Sequence, residues 1–230
     1  MSKDVIVVSA ITERRHMIDE YEDQLAATGI DFHLEPVTLA DGIGSITAWW
    51  KFSFLREMCQ RFSDYDRIIF TDAWDVLFFG SKSELLAKIP SWPKFSAERN
   101  CWPESELAES IISTSPWRFC NAGMMAGAPL AILRWLETPS PSSDWDMMDQ
   151  AWLNRRLADH SFPVTLDETT KLFYTVSCDR EDGSLRIRNS KPFNARYGTY
   201  PQFLHFAGPC SSTPFRAMLR GATESLCASA

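Results

Sequence analysis

Between residues 4 and 70 the chain runs strand, helix, strand, helix, strand, and this order restricts its possible folds more than any other feature. Asp4 to Ala10 (DVIVVSA) is rich in β-branched residues with no polar alternation, the pattern of a strand buried on both faces. A helix is predicted from about Thr12 to Thr28, with Met17, Tyr21 and Leu25 at four-residue spacing and Gly29 as its stop. Phe32 to Leu39 alternates and reads as a second strand. From Ser45 to Phe62 a second helix carries Trp49, Phe52, Leu55, Cys59 and Phe62 on one stripe. Arg67 to Phe70 is a third strand. Such an alternation implies an α/β, Rossmann-like architecture with a mostly parallel central sheet flanked by helices. Ligands of such sheets bind outside the carboxyl ends of the strands.

Further along, Ser81 and Glu84 form a capping-box pattern ahead of a short helix ending at Pro90. Arg118 to Ala126 is predicted as a strand, Pro129 to Leu136 as a helix, and about Asp146 to Ala158 as another. Val164 to Leu166, Leu172 to Val176 and Leu185 to Arg188 read as short strands, the last two joined by a turn at Asp182-Gly183. Phe203 to Phe206 is one more. No repeat or linker divides the chain, so residues 1–220 are expected to form one domain and 221–230 a flexible tail.

A formal net charge of −7 offers no general attraction to nucleic acid or anionic membranes, although 23 Lys and Arg leave room for a local basic strip. The six cysteines contain no CxxC pair, which argues against a zinc site and suits reduced thiols. MSKDVIVVSA has too short an apolar stretch for a signal peptide, and no run reaches transmembrane length. The expectation is a soluble cytoplasmic protein without a membrane partner.

Within this frame the stretch FTDAWDVLFF (70–79) stands out, because it sets two acids three positions apart in an apolar run. A buried carboxylate needs a compensating partner. Asp72 and Asp75, just past a strand end, could converge on one hard cation such as Mg²⁺ or Mn²⁺, with Trp74 offering a flat face to a base or sugar. The plainer alternative is that Asp72 caps the turn and Asp75 is solvated, since DxxD is a common spacing. His205, on the late apolar run Leu204-His205-Phe206, is either a core histidine or a metal ligand, and Gly208 permits close backbone approach to a phosphate. Asp149 and Gln150 fall in the first turn of a helix, where an acid either complements the macrodipole or points at a substrate. Asn121 and Gly123 interrupt an apolar strand, which often marks a close backbone approach. Glu98 ends FSAE as a base or an N-cap, and Lys51 reaches a phosphate or snorkels.

Seven stretches occur in an order that resembles a known family: ADGIGSITAWWKFSFL (40–55), DRIIFTDAWDVLFFG (66–80), KFSAERNCWPE (94–104), FCNAGMMAGAP (119–129), DMMDQAWL (146–153), TLDETTKLFYTV (165–176) and FLHFAGP (203–209). Together they are similar to the glycosyltransferase domain of procollagen lysyl hydroxylases and related collagen glucosyltransferase-like proteins, from Val5 to about Phe215. The resemblance implies a GT-A glycosyltransferase fold, a UDP-sugar donor and Mn²⁺ (or Mg²⁺). It implies Asp72, Asp75 and His205 as metal ligands, and Trp74 as the aromatic on the uracil. Lys51 and Gly208 fall near the diphosphate, and Ala10, ending the first strand, is set with the nucleotide positions. Asp149 and Gln150 match the end of the family's acidic DDQ segment near the donor sugar and, with Glu98 on the acceptor side, are the catalytic candidates. Asn121 and Gly123 match its LNSGG strand and are set with the nucleotide positions.

The chain departs from the family where Met147 and Met148 replace consecutive acids before Gln150, and where Phe206 and Ala207 alter the family's HGNG segment. The acceptor implied is a hydroxyl group, on hydroxylysine or a glycan. A glycosyltransferase of hydroxymethylated DNA bases, as in viruses, and a non-catalytic sugar-nucleotide-binding module are the alternatives. A nucleotidyltransferase would want a glycine-rich phosphate loop, which VVSAITERRH lacks.

Overall fold

A computed structural model describes residues 3–11, 16–38, 48–137, 148–176 and 183–208. The expected alternation is present as β1 (Lys3–Ile11), α1 (His16–Ala27), β2 (Asp31–Pro36), α2 (Ala48–Arg61) and β3 (Tyr65–Thr71). Then come β4 (Val76–Phe78), α3 (Lys82–Lys88), β5 (Lys94–Glu98), β6 (Phe119–Gly127), α4 (Pro129–Glu137) and α5 (Asp149–Asp159). The chain closes with β7 (Phe173–Val176), β8 (Leu185–Arg188), β9 (Lys191–Asn194) and β10 (Phe203–Phe206). The expected tail at 221–230, the turn residue Asp182 and the side chains of Met17 and Trp49 lie outside the described residues.

Five strands form the central sheet in the order β2-β1-β3-β6-β5. β1 pairs parallel with β2 and β3, whereas β6 is antiparallel to both β3 and β5. Four strands therefore share a direction and β6 alone is reversed, so the sheet is mixed. An antiparallel neighbour needs only a chain reversal and no crossover helix, which the excursion between Glu98 and Phe119 supplies. Alternate residues of β1 and β3 serve two cores. Ile6, Val8, Ile68 and Phe70 pack with Phe52, Leu55, Trp135 and Trp152 beneath α2, α4 and α5. Val5, Val7 and Ile69 pack with Ile18, Tyr21 and Leu25 of α1 on the other face. Both faces of the sheet are thus dry, which explains why β1 reads as an unbroken apolar run.

A second sheet, β4-β10-β7, lies against the first, with β10 at its centre. β10 is antiparallel to β4 and parallel to β7, and His205 is in register with Val76 on one side and Thr175 on the other. β8 does not pair with β7 as expected from sequence. It forms a hairpin with β9 through Asn189 and Ser190, both at positive φ (53° and 58°), the backbone that a two-residue type I′ turn demands. The capping box at α3 is present in full: Ser81 accepts from the Glu84 backbone, and the Glu84 side chain accepts from Ser81 N. Glu84 also pairs with Lys191 of β9 at 2.8 Å. Ser81→Ala should cost about 1 kcal/mol in denaturant unfolding, because it deprives the first turn of α3 of its acceptor. A loss below about 0.3 kcal/mol would show that Glu84 and Lys191 alone hold this corner.

Candidate active site

The motif FTDAWDVLFF spans the crossing from one sheet to the other. β3 ends at Thr71, and Asp72 N donates to Gly123 O at 2.7 Å, which prolongs the β3–β6 ladder by one residue. The chain then turns through Ala73 and Trp74 and enters β4 at Val76. Phe206 N donates to Asp75 O at 2.8 Å and fastens the second acid beside β10. Two acids three apart therefore bracket a sheet-to-sheet junction, and His205 reaches the same junction from the far end of the sequence.

Gly123 shows how tightly the three converge. A Cβ at this position would lie 2.4 Å from His205 Cε1, 2.8 Å from His205 Nδ1 and 2.9 Å from Asp72 Oδ2. The space a methyl group would fill is the space in which the imidazole and the carboxylate meet. On the other side of the ring, His205 Nε2 faces Asp75 Oδ1 at 3.2 Å, and that buried oxygen makes no hydrogen bond. Burial works to lower the His205 pKa, but the charges of Asp75 and Asp72 outweigh it and leave the imidazole raised. Burial opposes the ionised form of Asp75, yet His205 and Lys51 hold its carboxyl below the usual carboxylate range. Asp72 is raised chiefly by burial, although its side chain keeps 37% of its surface exposed.

Two carboxylates and one imidazole are donor types that suit a divalent ion. Among the described residues no group of three or more His, Cys, Asp or Glu side chains is placed to hold a metal ion. His205 and Asp75 instead lie directly against each other.

Lys51, 6% exposed, neither snorkels nor stands free for a ligand. Its ammonium lies 2.7 Å from Asp149 Oδ2 and 3.3 Å from Asp72 Oδ1, and bonds to Ala122 O at 3.4 Å. Burial opposes its charge, but Asp149 and Asp72 reverse this and raise its pKa. One cation thus joins the acid at the start of α5 to the acid at the end of β3.

Gln150 is equally engaged. Its amide donates to Glu98 and, at 3.1 Å, to Trp102 O, and its oxygen accepts from Asn121 Nδ2 and Ala122 N, both at 3.4 Å. Asn154, on the same helix, accepts from Cys120 N at 2.8 Å and donates to Trp102 O at 3.3 Å. It stitches α5 to β6 and was absent from the sequence reading, where an Asn one turn into a polar helix face carries no signal.

The remaining expected residues sit around this centre. Trp74 is half-buried against the core that contains Val76 and Phe78. Ala10, near the end of β1, packs on the opposite core. Gly208 is exposed beyond β10 at φ 66°, a backbone that other residues rarely adopt. Beneath Asp72, Thr71 Oγ1 bonds to Ser9 Oγ and to Tyr21 OH, each at 2.8 Å, and ties β3, β1 and α1 together. Cys59, Cys101 and Cys120 are free thiols.

A mixed α/β sheet with acids at the β3 exit and a small second sheet beside them defines a GT-A glycosyltransferase fold. Two solved structures agree over nearly their whole lengths. One is a glycosyltransferase involved in glycosylating the major capsid of PBCV-1 (TM-score 0.54, 11% identity, 94% of this chain and 98% of that one). The other is the galactosyltransferase LgtC in complex with donor and acceptor sugar analogues (TM-score 0.53, 14% identity, 95% of each chain).

The chain belongs to the family described as PLOD GT domain, which matches residues 7–214. It is 26% identical over 181 residues to human procollagen-lysine,2-oxoglutarate 5-dioxygenase 2, covering 74% of this chain and 24% of that protein. It is 29% identical over 172 residues to the human multifunctional procollagen lysine hydroxylase and glycosyltransferase LH3, covering 69% of this chain and 23% of that protein. The chain thus spans about a quarter of the length of these relatives. Among the described residues no helix is long and apolar enough to cross a membrane.

Proposed function

We propose that the protein transfers a hexose from a UDP-sugar to a hydroxyl acceptor with the help of a divalent metal ion. The observation that carries this reading is the convergence of Asp72 and His205 beside Gly123, with Asp75 against the other side of the same ring. These three side chains hold the ion, Mn²⁺ or Mg²⁺. Once bound, the ion offsets the charge of the diphosphate and stabilises UDP as it leaves. Trp74 offers its indole to the uracil, and Ala10 and Gly208 let the nucleotide approach the backbone. Asp149, held in place by Lys51, is the acid on the sugar side, and Glu98 lies toward the acceptor with Gln150 locked against it.

In the transfer, the bond between the anomeric carbon and the diphosphate oxygen breaks and a bond to the acceptor oxygen forms. The products are UDP, the glycoside and a proton. Hydroxylysine, or a sugar already attached to it, is the acceptor favoured here, since relatives of the family are named as both procollagen lysine hydroxylases and glycosyltransferases.

Incubation with Mn²⁺ and a panel of UDP-sugars should release UDP slowly by hydrolysis, and faster with hydroxylysine peptides. Asp72→Ala should abolish metal-dependent UDP binding in calorimetry. Absence of UDP-sugar binding by the native chain, with or without metal, overturns the proposal. Unchanged affinity in the variant removes Asp72 from the site.

A further inference from the structure

We propose that Asn121, braced by Ser96, is a positioning residue: it fixes the tautomer of His205 for metal binding and links the metal side of the site to the sugar side. The proposal rests on the metal reading above and assigns Asn121 a task other than touching the sugar. Its side-chain oxygen is the meeting point of three groups. Gly123 N donates to it at 3.0 Å, Ser96 Oγ at 3.2 Å, and His205 Nδ1 lies 2.9 Å away. A backbone N–H can only donate, so this atom must be the amide oxygen. The opposite end agrees, because Asn121 Nδ2 points at Gln150 Oε1.

Facing an oxygen, Nδ1 of His205 must carry the proton. In the neutral ring Nε2 then presents a lone pair, and it presents it to Asp75 Oδ1, an acceptor without a hydrogen bond. That pair at 3.2 Å is satisfied either by a second proton on the ring, as an ion pair with Asp75, or by a cation bound between them. Metal-ligating histidines show the same arrangement, with the far nitrogen tied to an oxygen that sets ring and tautomer.

Ser96 reinforces the device. It is fully buried on β5 and bonds to both the backbone and side-chain oxygens of Asn121, so Asn121 cannot swing away from the ring. A β-bulge makes this possible: Phe95 pairs with Met125 but Ser96 with Asn121, which leaves Ala122, Gly123 and Met124 without partners on β5. Through the other end of Asn121 the hydrogen bonds continue to Gln150 and Glu98.

Three variants separate the tasks. Asn121→Asp keeps the oxygen toward His205 but loses the donor to Gln150. Asn121→Leu loses both, and Gln150→Leu breaks the sugar-side link alone. Imidazole ¹⁵N NMR of the metal-free protein, at a pH where the ring is neutral, should show the His205 proton on Nδ1 in the native chain and in the Asp variant. Titration with Mn²⁺ alone should give affinities within about threefold of native for Asn121→Asp and Gln150→Leu, and a loss of about 10–100-fold for Asn121→Leu. UDP-sugar turnover should fall at least about tenfold in all three.

A native ring protonated on Nε2 overturns the proposal and leaves the metal reading intact. So does a Gln150→Leu protein that loses Mn²⁺ as severely as Asn121→Leu, or a folded Asn121→Leu protein that binds Mn²⁺ normally. If Asn121→Leu does not fold, the other two variants and the tautomer decide. A native chain with the expected tautomer and no affinity for Mn²⁺ overturns the metal reading and this proposal together.

Discussion

Gly123→Ala is expected to destroy metal binding while leaving the fold standing. The new methyl group would press on His205 and Asp72 at distances real Cβ atoms do not tolerate, with the nearest at 2.4 Å. Relief must come from the His205 ring or the Asp72 carboxylate, because the Gly123 backbone is held at its carbonyl by Asp72 N and at its N–H by the Asn121 side chain. Moving either side chain removes it from the junction. Affinity for Mn²⁺ should fall by about 100-fold or more, beyond the usual loss when a ligand's support is removed. The stability cost should stay within about 1–3 kcal/mol, as for one surplus methyl in a packed site. Mn²⁺ titration and thermal unfolding of one sample separate the two effects. Native affinity in a stably folded variant would mean that His205 and Asp72 do not act together.

The second large effect is one of charge. Lys51→Met leaves the Asp149 side chain, 3% exposed, stripped of its cation. Breaking one partner of a buried pair costs about 3–5 kcal/mol, and for a chain of this size the Tm should drop by roughly 6–20 °C. The double variant Lys51→Met/Asp149→Asn should recover more than half of that loss, since Asn keeps the oxygen that accepts from the Gln150 backbone and sheds the charge. Both proteins should lack transferase activity. A single variant as stable as the native chain would show that the Lys51–Asp149 pair makes no net contribution to stability.

Much of this architecture was legible because local pattern and tertiary role coincide. β1, α2 and β3 carry apolar residues wherever a sheet covered on both faces requires them, and the capping box at Ser81 is a short-range motif with one geometric outcome. The direction of β6 was not legible, since an apolar run looks the same read toward either neighbour. The β8–β9 hairpin was missed because Asn189-Ser190 adopts positive φ without a glycine to announce it. At the site, the grouping of Asp72, Asp75 and His205 was expected from family resemblance, and spacing alone left it open. Lys51 was expected to reach a phosphate or to snorkel, and one position in a helical stripe does not reveal that two remote acids flank it. Ser96 and Asn154 gave no signal at all. Each acts by bonding one neighbouring strand, and neighbours in space are what a linear pattern leaves out.

The central place of β10 between β4 and β7 has a consequence for biosynthesis. β4 and β7 wait for a partner that leaves the ribosome only after all five strands of the main sheet have emerged. A nascent chain stalled before Phe203 possesses both aspartates and the whole first layer, yet it lacks His205, the third member of the junction. On the proposed metal reading, capture of a cation would require the polypeptide through residue 206, and chains truncated upstream would acquire a core without a complete site.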